Sequence, residues 1–252
     1  IMDKMIHTAL NTLNNIHMNR SVKSQNLSNI NVPGFRRDLG TSFSAGFLEQ
    51  MDQFPSRIFA LHEGANIFSA KPGNIKSTGQ QTDIAIKGSG FFITKPIGGE
   101  TSLSRRGDLS VSSDGFLTNG AGAQMLDLNQ SPIPVPPFRK LVVSETGEMF
   151  IEPLGSEEGT RVALGTLATT SGSETPMKKD TDGEIRLVGG GVPAPDQNSV
   201  IAQSFLEESN VNAVEELVDT LSQQRQFEIN VKFISLSKEM DEGSAGIMRM
   251  PN

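Results

Sequence analysis

Pro33-Gly34 is the tightest constraint on what this chain can fold into, because it ends a long helical run and turns the chain out of it. Proline disfavours helical backbone at Val32, and Pro-Gly fits the two central positions of a type II turn. Upstream, the stretch Ser24–Arg36 closes a run whose apolar residues recur at three and four. Downstream, the pattern changes to short strands and glycine turns, until helical spacing returns at the C-terminus. The plan is therefore one helix at each end of the chain with β structure between.

Ile6, Ala9, Leu13, Ile16, Arg20, Lys23, Leu27 and Ile30 fall at successive a and d heptad positions, and six of these eight are apolar. That pattern predicts an amphipathic helix able to enter a coiled coil, with two basic residues weakening its middle. At 1.5 Å per residue such a helix runs ~42 Å. At the other end, Ser209-Asn210 offers an N-cap and Glu215 and Glu216 suit the first turn; the helix is predicted to run to about Met240, before Gly243. Val214, Leu217, Val218, Leu221, Phe227, Val231 and Ile234 form its apolar stripe, interrupted by Gln223, Gln224 and Arg225. A predicted length of ~45 Å, close to that of the first helix, suggests that the two chain ends lie side by side.

Between them, residues 35–71 carry scattered phenylalanines without a clean period, which predicts an irregular or extended arm. Residues 72–206 predict a β-rich domain. Ile84 and Ile86 mark an alternating strand, and residues 90–94 a buried one. Hairpins are expected around Asp114-Gly115, Thr146-Gly147 and Asp182-Gly183. Pro132, Pro134, Pro136 and Pro137 predict an exposed extended connector, because proline cannot donate to a sheet ladder.

With 29 acidic and 22 basic residues the net charge is −7, so the chain lacks the concentrated basic surface that nucleic-acid binding needs. Arg36-Arg37 and Arg105-Arg106 read as solvated arginines or ion-pair partners. The sequence has no cysteine, which removes disulfides and thiolate metal sites. No stretch approaches the ~20 apolar residues of a membrane span, and Met5–Ile16 is too polar for a secretory signal core. His7, His17 and His62 are the three histidines, so the β domain has none for nucleophile activation or zinc. Glu145 with Glu148, and Asp180 with Asp182, are spaced as carboxylate pairs but sit at predicted turns, where acidic residues serve the backbone. Gly88-Ser89-Gly90 lacks the lysine and following helix of a phosphate loop. Neither tryptophan nor tyrosine is present to form a sugar-stacking platform. No catalytic residue, metal, cofactor, small-molecule substrate or nucleic-acid partner is expected.

Ser24-Gln25-Asn26-Leu27-Ser28-Asn29 through Asn31-Val32-Pro33-Gly34-Phe35-Arg36 resembles the signature near the start of bacterial flagellar rod and hook proteins. Further matches follow in order: Thr78-Gly79 through Phe91-Phe92, Ser104–Asp108 with Asp114–Thr118, and Glu208–Val211 with Gln224–Glu228. The resemblance implies an α+β fold in three parts. Residues 1–34 and 207–252 would pair as an inner coiled-coil domain, 35–71 would form the extended arm, and 72–206 an outer β domain. It implies a structural subunit of the flagellar basal body, in the periplasmic space, that assembles helically with itself and other rod subunits to transmit torque in motility. Export by the flagellar type III apparatus without a cleaved signal peptide is implied as well. Subunit packing would fall to Ile6, Leu13, Ile16, Asn26, Leu27, Asn29, Ile30, Pro33, Gly34 and Phe35, and to Val214, Leu217, Val218, Leu221, Phe227 and Val231. Asn26 and Asn29, poor helix formers, are expected to bond across subunits near the helix exit. Two alternatives remain: a distal-rod or hook-type axial protein, and a secreted β-domain binding module or hydrolase. The last would require acidic or aromatic residues converging in a cleft.

Overall fold

The computed structural model describes residues 2–40, 67–172, 176–180, 182–191 and 193–248. The fold is α+β, mostly sheet, with one helix at each end of the chain. Helix α1 spans Met2–Ser28 and α2 spans Ala213–Met248. By tertiary contact the chain divides into a helical unit, residues 1–28, 38–67 and 212–252, and a β unit, residues 29–37 and 68–211.

In the helical unit α1 and α2 pack together. Lys23 reaches Asp219 at 2.6 Å and Glu216 at 3.3 Å, and Ile16 and Arg20 share a small pocket with Gln223 and Phe227. Contacts that move toward the C-terminus on one helix and toward the N-terminus on the other make the pair antiparallel. The helices differ in length more than their sequences suggest: α2 has 36 residues to 27 for α1 and runs through Gly243. Glycine inside a helix costs only about 1 kcal/mol, which the flanking good helix formers offset. Its N-cap is Asn212, whose Oδ1 accepts from the Val214 amide at 3.0 Å and the Glu215 amide at 3.4 Å. Asn210, the expected cap, is employed elsewhere.

Among the described residues the β unit contains fifteen short strands. In chain order they are β1 (Ile75–Ser77), β2 (Ile84–Lys87), β3 (Phe91–Lys95), β4 (Ser102–Ser104), β5 (Leu109–Val111), β6 (Leu117–Asn119), β7 (Gln124–Met125), β8 (Phe138–Val143), β9 (Glu148–Pro153), β10 (Val162–Thr166), β11 (Thr169–Thr170), β12 (Met177–Lys179), β13 (Ile185–Leu187), β14 (Val200–Gln203) and β15 (Phe205–Glu207). The largest sheet runs β12-β13-β4-β3-β7-β6-β5 with β11 beside β3; β10-β9-β8, β14-β2 and β15-β1 make the others. All three expected hairpins form, as β5-β6, β8-β9 and β12-β13. Gly115, Gly147 and Gly183 supply the positive φ their turns require.

One core gathers Ile84, Ile86, Phe92, Leu117, Met125, Leu141, Met149, Ile151 and Ile201; a second gathers Phe91, Ile93, Leu103, Leu126 and Ile185. Phe91 and Phe92 thus feed cores on opposite faces of β3. Ile84, Ala85 and Ile86 are all buried, so β2 is covered on both faces rather than alternating.

The proline-rich stretch 132–137 corrects the expectation of an exposed connector. Ile133 and Val135 point into the core while Pro134, Pro136 and Pro137 face solvent. The amide of Ile133 donates to the Met125 carbonyl and that of Val135 to the Gly115 carbonyl. Proline at every second position places the missing donor where none is needed, so the segment laces the sheet from its rim.

Candidate assembly site: two knots of hydrogen bonds and an exposed helix face

The chain passes between its two units after residues 28, 37, 67 and 211. Within the β unit, every segment adjoining such a crossing is tied to one buried cluster. At its centre stands Glu207, whose side chain is 1% exposed. One carboxylate oxygen accepts from Arg36 Nη1 at 2.9 Å and from the Gly73 amide at 2.9 Å. The other takes Arg105 Nε at 2.6 Å. The remaining donors of Arg105 satisfy the carbonyls of Ile86, Gly88 and Gly90 around the β2–β3 turn.

Two guanidiniums therefore share one carboxylate away from water. Burial pulls Arg36 down to about 10 and lowers Arg105 too, Glu207 opposing the shift in each case; the neighbouring Arg105 charge adds to the fall at Arg36. Lys179 closes the cluster, donating to the Arg36 carbonyl at 3.0 Å and lying 3.8 Å from the centre of the Phe35 ring. The arginines expected as solvated or ion-paired are thus divided: Arg36 and Arg105 are buried ion-pair partners, and Arg106 pairs with Asp108 at the surface.

The Pro33-Gly34 turn is pressed against this cluster. Gly34 has φ 68°, and a Cβ there would lie 2.4 Å from the Arg105 carbonyl carbon, so glycine is required twice over. Its amide donates to the Glu207 carbonyl at 2.7 Å. Beside it, Asn210 imitates a strand neighbour. Its Oδ1 accepts from the Arg37 amide at 2.6 Å, and its Nδ2 donates to the carbonyls of Lys71 and Ser69 at 2.7 and 3.2 Å. We expect Asn210→Ala to cost the β unit about 1–3 kcal/mol, since three backbone groups lose one partner together; chemical denaturation would measure it.

The helical unit holds a second asparagine of the same kind. Asn26 is fully buried; its Oδ1 accepts from the Asp38 amide at 2.8 Å and its Nδ2 donates to the Asp38 carbonyl at 2.9 Å. Glu216 lies 3.5 Å from the same Nδ2. The amide expected to bond across subunits is therefore engaged inside the chain, because the segment after the turn passes directly beside it. Gly40 confirms that closeness, since a Cβ there would meet Asn19 Oδ1 at 2.3 Å.

Of the expected packing residues, Ile16 and Gly34 are buried, while Leu13, Asn29, Ile30, Pro33 and Phe35 are half-buried. The side chain of Ile6 and arm residues 41–66 lie outside the described residues. Leu27, Val214, Leu217, Val218, Leu221, Phe227 and Val231 are exposed. At 100° per residue, Glu216, Asp219, Thr220, Gln223, Asn230 and Ser237 share the α2 side that meets α1. Val214, Leu217, Val218, Leu221, Ile229 and Leu236 fall on the opposite side. Ile234, half-buried, and Phe227, which lines the pocket with Ile16, lie on the α1 side as well, so the α2 face that meets α1 is polar apart from these two, and the part of the predicted stripe from Val214 to Leu221 points away. Sequence reasoning missed Glu207 altogether; its signal, a lone acid beside the Glu208–Val211 motif, has meaning only once Arg36 and Arg105 arrive from elsewhere.

Among the described residues no group of acids and histidines is placed to hold a metal, and no helix is long and apolar enough to cross a membrane. A β unit with its own buried ion-pair cluster, and a helical unit carrying an uncovered apolar helix face, define a building block of a larger assembly. Family comparison identifies the kind. Residues 85–151 match the D1 domain of the flagellar hook protein FlgE/F/G, and residues 202–246 match the C-terminal region of the flagellar basal body rod FlgEFG proteins. The chain is 26% identical over 250 residues to the flagellar basal-body rod protein FlgF of Salmonella typhimurium, covering 97% of both. It is 27% identical to FlgF of Escherichia coli strain K12, covering 93% of this chain and 94% of the other. Against the flagellar basal-body rod protein FlgG of Agrobacterium fabrum identity is 28%, covering 88% and 90%. Over most of its length the chain is similar to flagellar basal-body rod proteins, a structural family rather than an enzyme family.

Proposed function

We propose that the chain is a structural subunit of the bacterial flagellar rod, of the FlgF type, that works by assembly with itself and other rod components. One observation carries this reading beyond the family match: Val214, Leu217, Val218, Leu221, Ile229 and Leu236 are exposed on the side of α2 that α1 leaves uncovered. An apolar face of this size on a lone subunit is stabilised by burial against neighbours, each large side chain contributing about 1.5–3 kcal/mol when fully covered. Contacts between identical subunits that do not close on themselves generate a helical array, and many such contacts in parallel transmit torque. The coiled-coil role, in this reading, belongs to α2 with helices of neighbouring subunits.

The Pro33-Gly34-Phe35-Arg36 ending favours FlgF over the distal-rod type. The site of action is the basal body, where the rod crosses the periplasmic space, and delivery is by the flagellar type III export apparatus. Image reconstruction of purified basal bodies carrying a labelled chain tests the proposal. Labelled density is expected in the rod wall with α2 against a neighbouring subunit; label absent from the rod would refute it.

A further inference from the structure

The buried cluster also sits where a pull on the two ends of the chain would be borne. Residues 34–37 and 207–210 run side by side in the same direction: the Gly34 amide donates to the Glu207 carbonyl at 2.7 Å, the Asn210 amide to the Phe35 carbonyl at 3.2 Å, and the Arg37 amide to the Asn210 side chain at 2.6 Å. Tension applied through α1 enters this pair at the N-terminal end of the first segment. Tension through α2 leaves at the C-terminal end of the second. Parallel segments drawn from opposite ends are loaded in shear, so their hydrogen bonds and the Arg36–Glu207 ion pair bear the load together rather than one after another.

We infer that residues 34–37 and 207–210, with Arg36, Glu207 and Arg105, form a mechanical clamp that carries tension between the chain ends past the sheets of the β unit. The chain between the two segments, strands β1 to β14 included, lies inside the loop that the clamp closes. It is unloaded until the clamp releases. Arg105 anchors the clamp to the sheet through the carbonyls of Ile86, Gly88 and Gly90. The geometry is independent of what the chain assembles into; the use of such a clamp under torque rests on the rod reading.

The chain has no cysteine, so single cysteines added at its two ends allow one full-length molecule to be stretched in an optical trap. The expected trace has one dominant release that frees the roughly 170 enclosed residues at once, about 60 nm of contour at ~3.5 Å per residue. Arg36→Met is the informative variant. It leaves Glu207 paired with Arg105 and should lower the thermal transition only a little, yet release faster under load, by about tenfold for the loss of one charged hydrogen bond. Stepwise opening of the sheets before the large release would overturn the clamp, as would an Arg36→Met chain that melts normally and releases at the wild-type force. Failure of the labelled chain to enter the rod would count against the rod reading alone.

Discussion

Glu207→Ala is expected to lower the thermal transition of the β unit by about 10 °C, the largest stability effect of any single change here. The substitution strands two buried guanidiniums without their shared carboxylate, and breaking a buried pair in this way costs roughly 3–5 kcal/mol, more than a surface pair by several-fold. For a unit of about 150 residues each kcal/mol shifts the midpoint by about 2–4 °C. The order of the three single variants is also fixed by their contacts. Arg105→Met comes close to Glu207→Ala, because it withdraws donors from the carbonyls of Ile86, Gly88 and Gly90. Arg36→Met is mild, because it leaves one cation with one anion, removes the repulsion between the arginines, and leaves the Lys71 carbonyl its bond from Asn210. Calorimetry of the three variants would show this ranking. A Glu207→Ala protein melting with the wild type would mean that the cluster contributes no net stability.

Local pattern was legible wherever local rules decide it. Asp114-Gly115, Thr146-Gly147 and Asp182-Gly183 name their hairpins because a tight turn needs a positive φ at the glycine. The helix stop at Pro33-Gly34 was legible for the same reason. What the sequence did not disclose is which residues meet across long separations. Arg36, Arg105 and Glu207 lie in three separate motifs, and only the fold gives Glu207 its two cations. Ile133 and Val135 were obscured by the prolines around them, whose missing donors signal a loop unless the partner strands are known.

The two asparagines show the same limit from another side. Asn26 and Asn210 are polar residues near helix ends, where capping is the ordinary expectation. Each instead pairs with a passing backbone segment, Asn26 with residue 38 and Asn210 with residues 37, 69 and 71. Together they fasten both ends of the arm, and neither bond is visible in a spacing rule. Helical periodicity likewise locates the apolar stripe of α2 without saying what it faces. That the two terminal helices lie side by side was legible; that they run antiparallel and that α1 meets the more polar side of α2 were not.

Leu221→Asp is expected to abolish incorporation into the rod while leaving the free subunit folded. Leu221 is 65% exposed and lies with Leu217 and Val218 on the side of α2 away from α1. In the free chain an aspartate there meets water and costs no more than helix propensity, a few tenths of a kcal/mol. In an assembled wall the same carboxylate would be buried among apolar side chains of a neighbour without a partner, at several kcal/mol per contact. That penalty recurs in every subunit of a helical array, so even a modest value per contact is decisive. Glu216→Ala is the counterpart on the opposite side: it removes the acid that meets Lys23 and Asn26, so it should loosen α1 from α2 in the monomer. Motility, the content of purified basal bodies and circular dichroism of the free protein separate the two. Normal incorporation of Leu221→Asp would show that the apolar face of α2 is not a subunit contact, and a helical signal lost in the free variant would place Leu221 in the folded monomer instead.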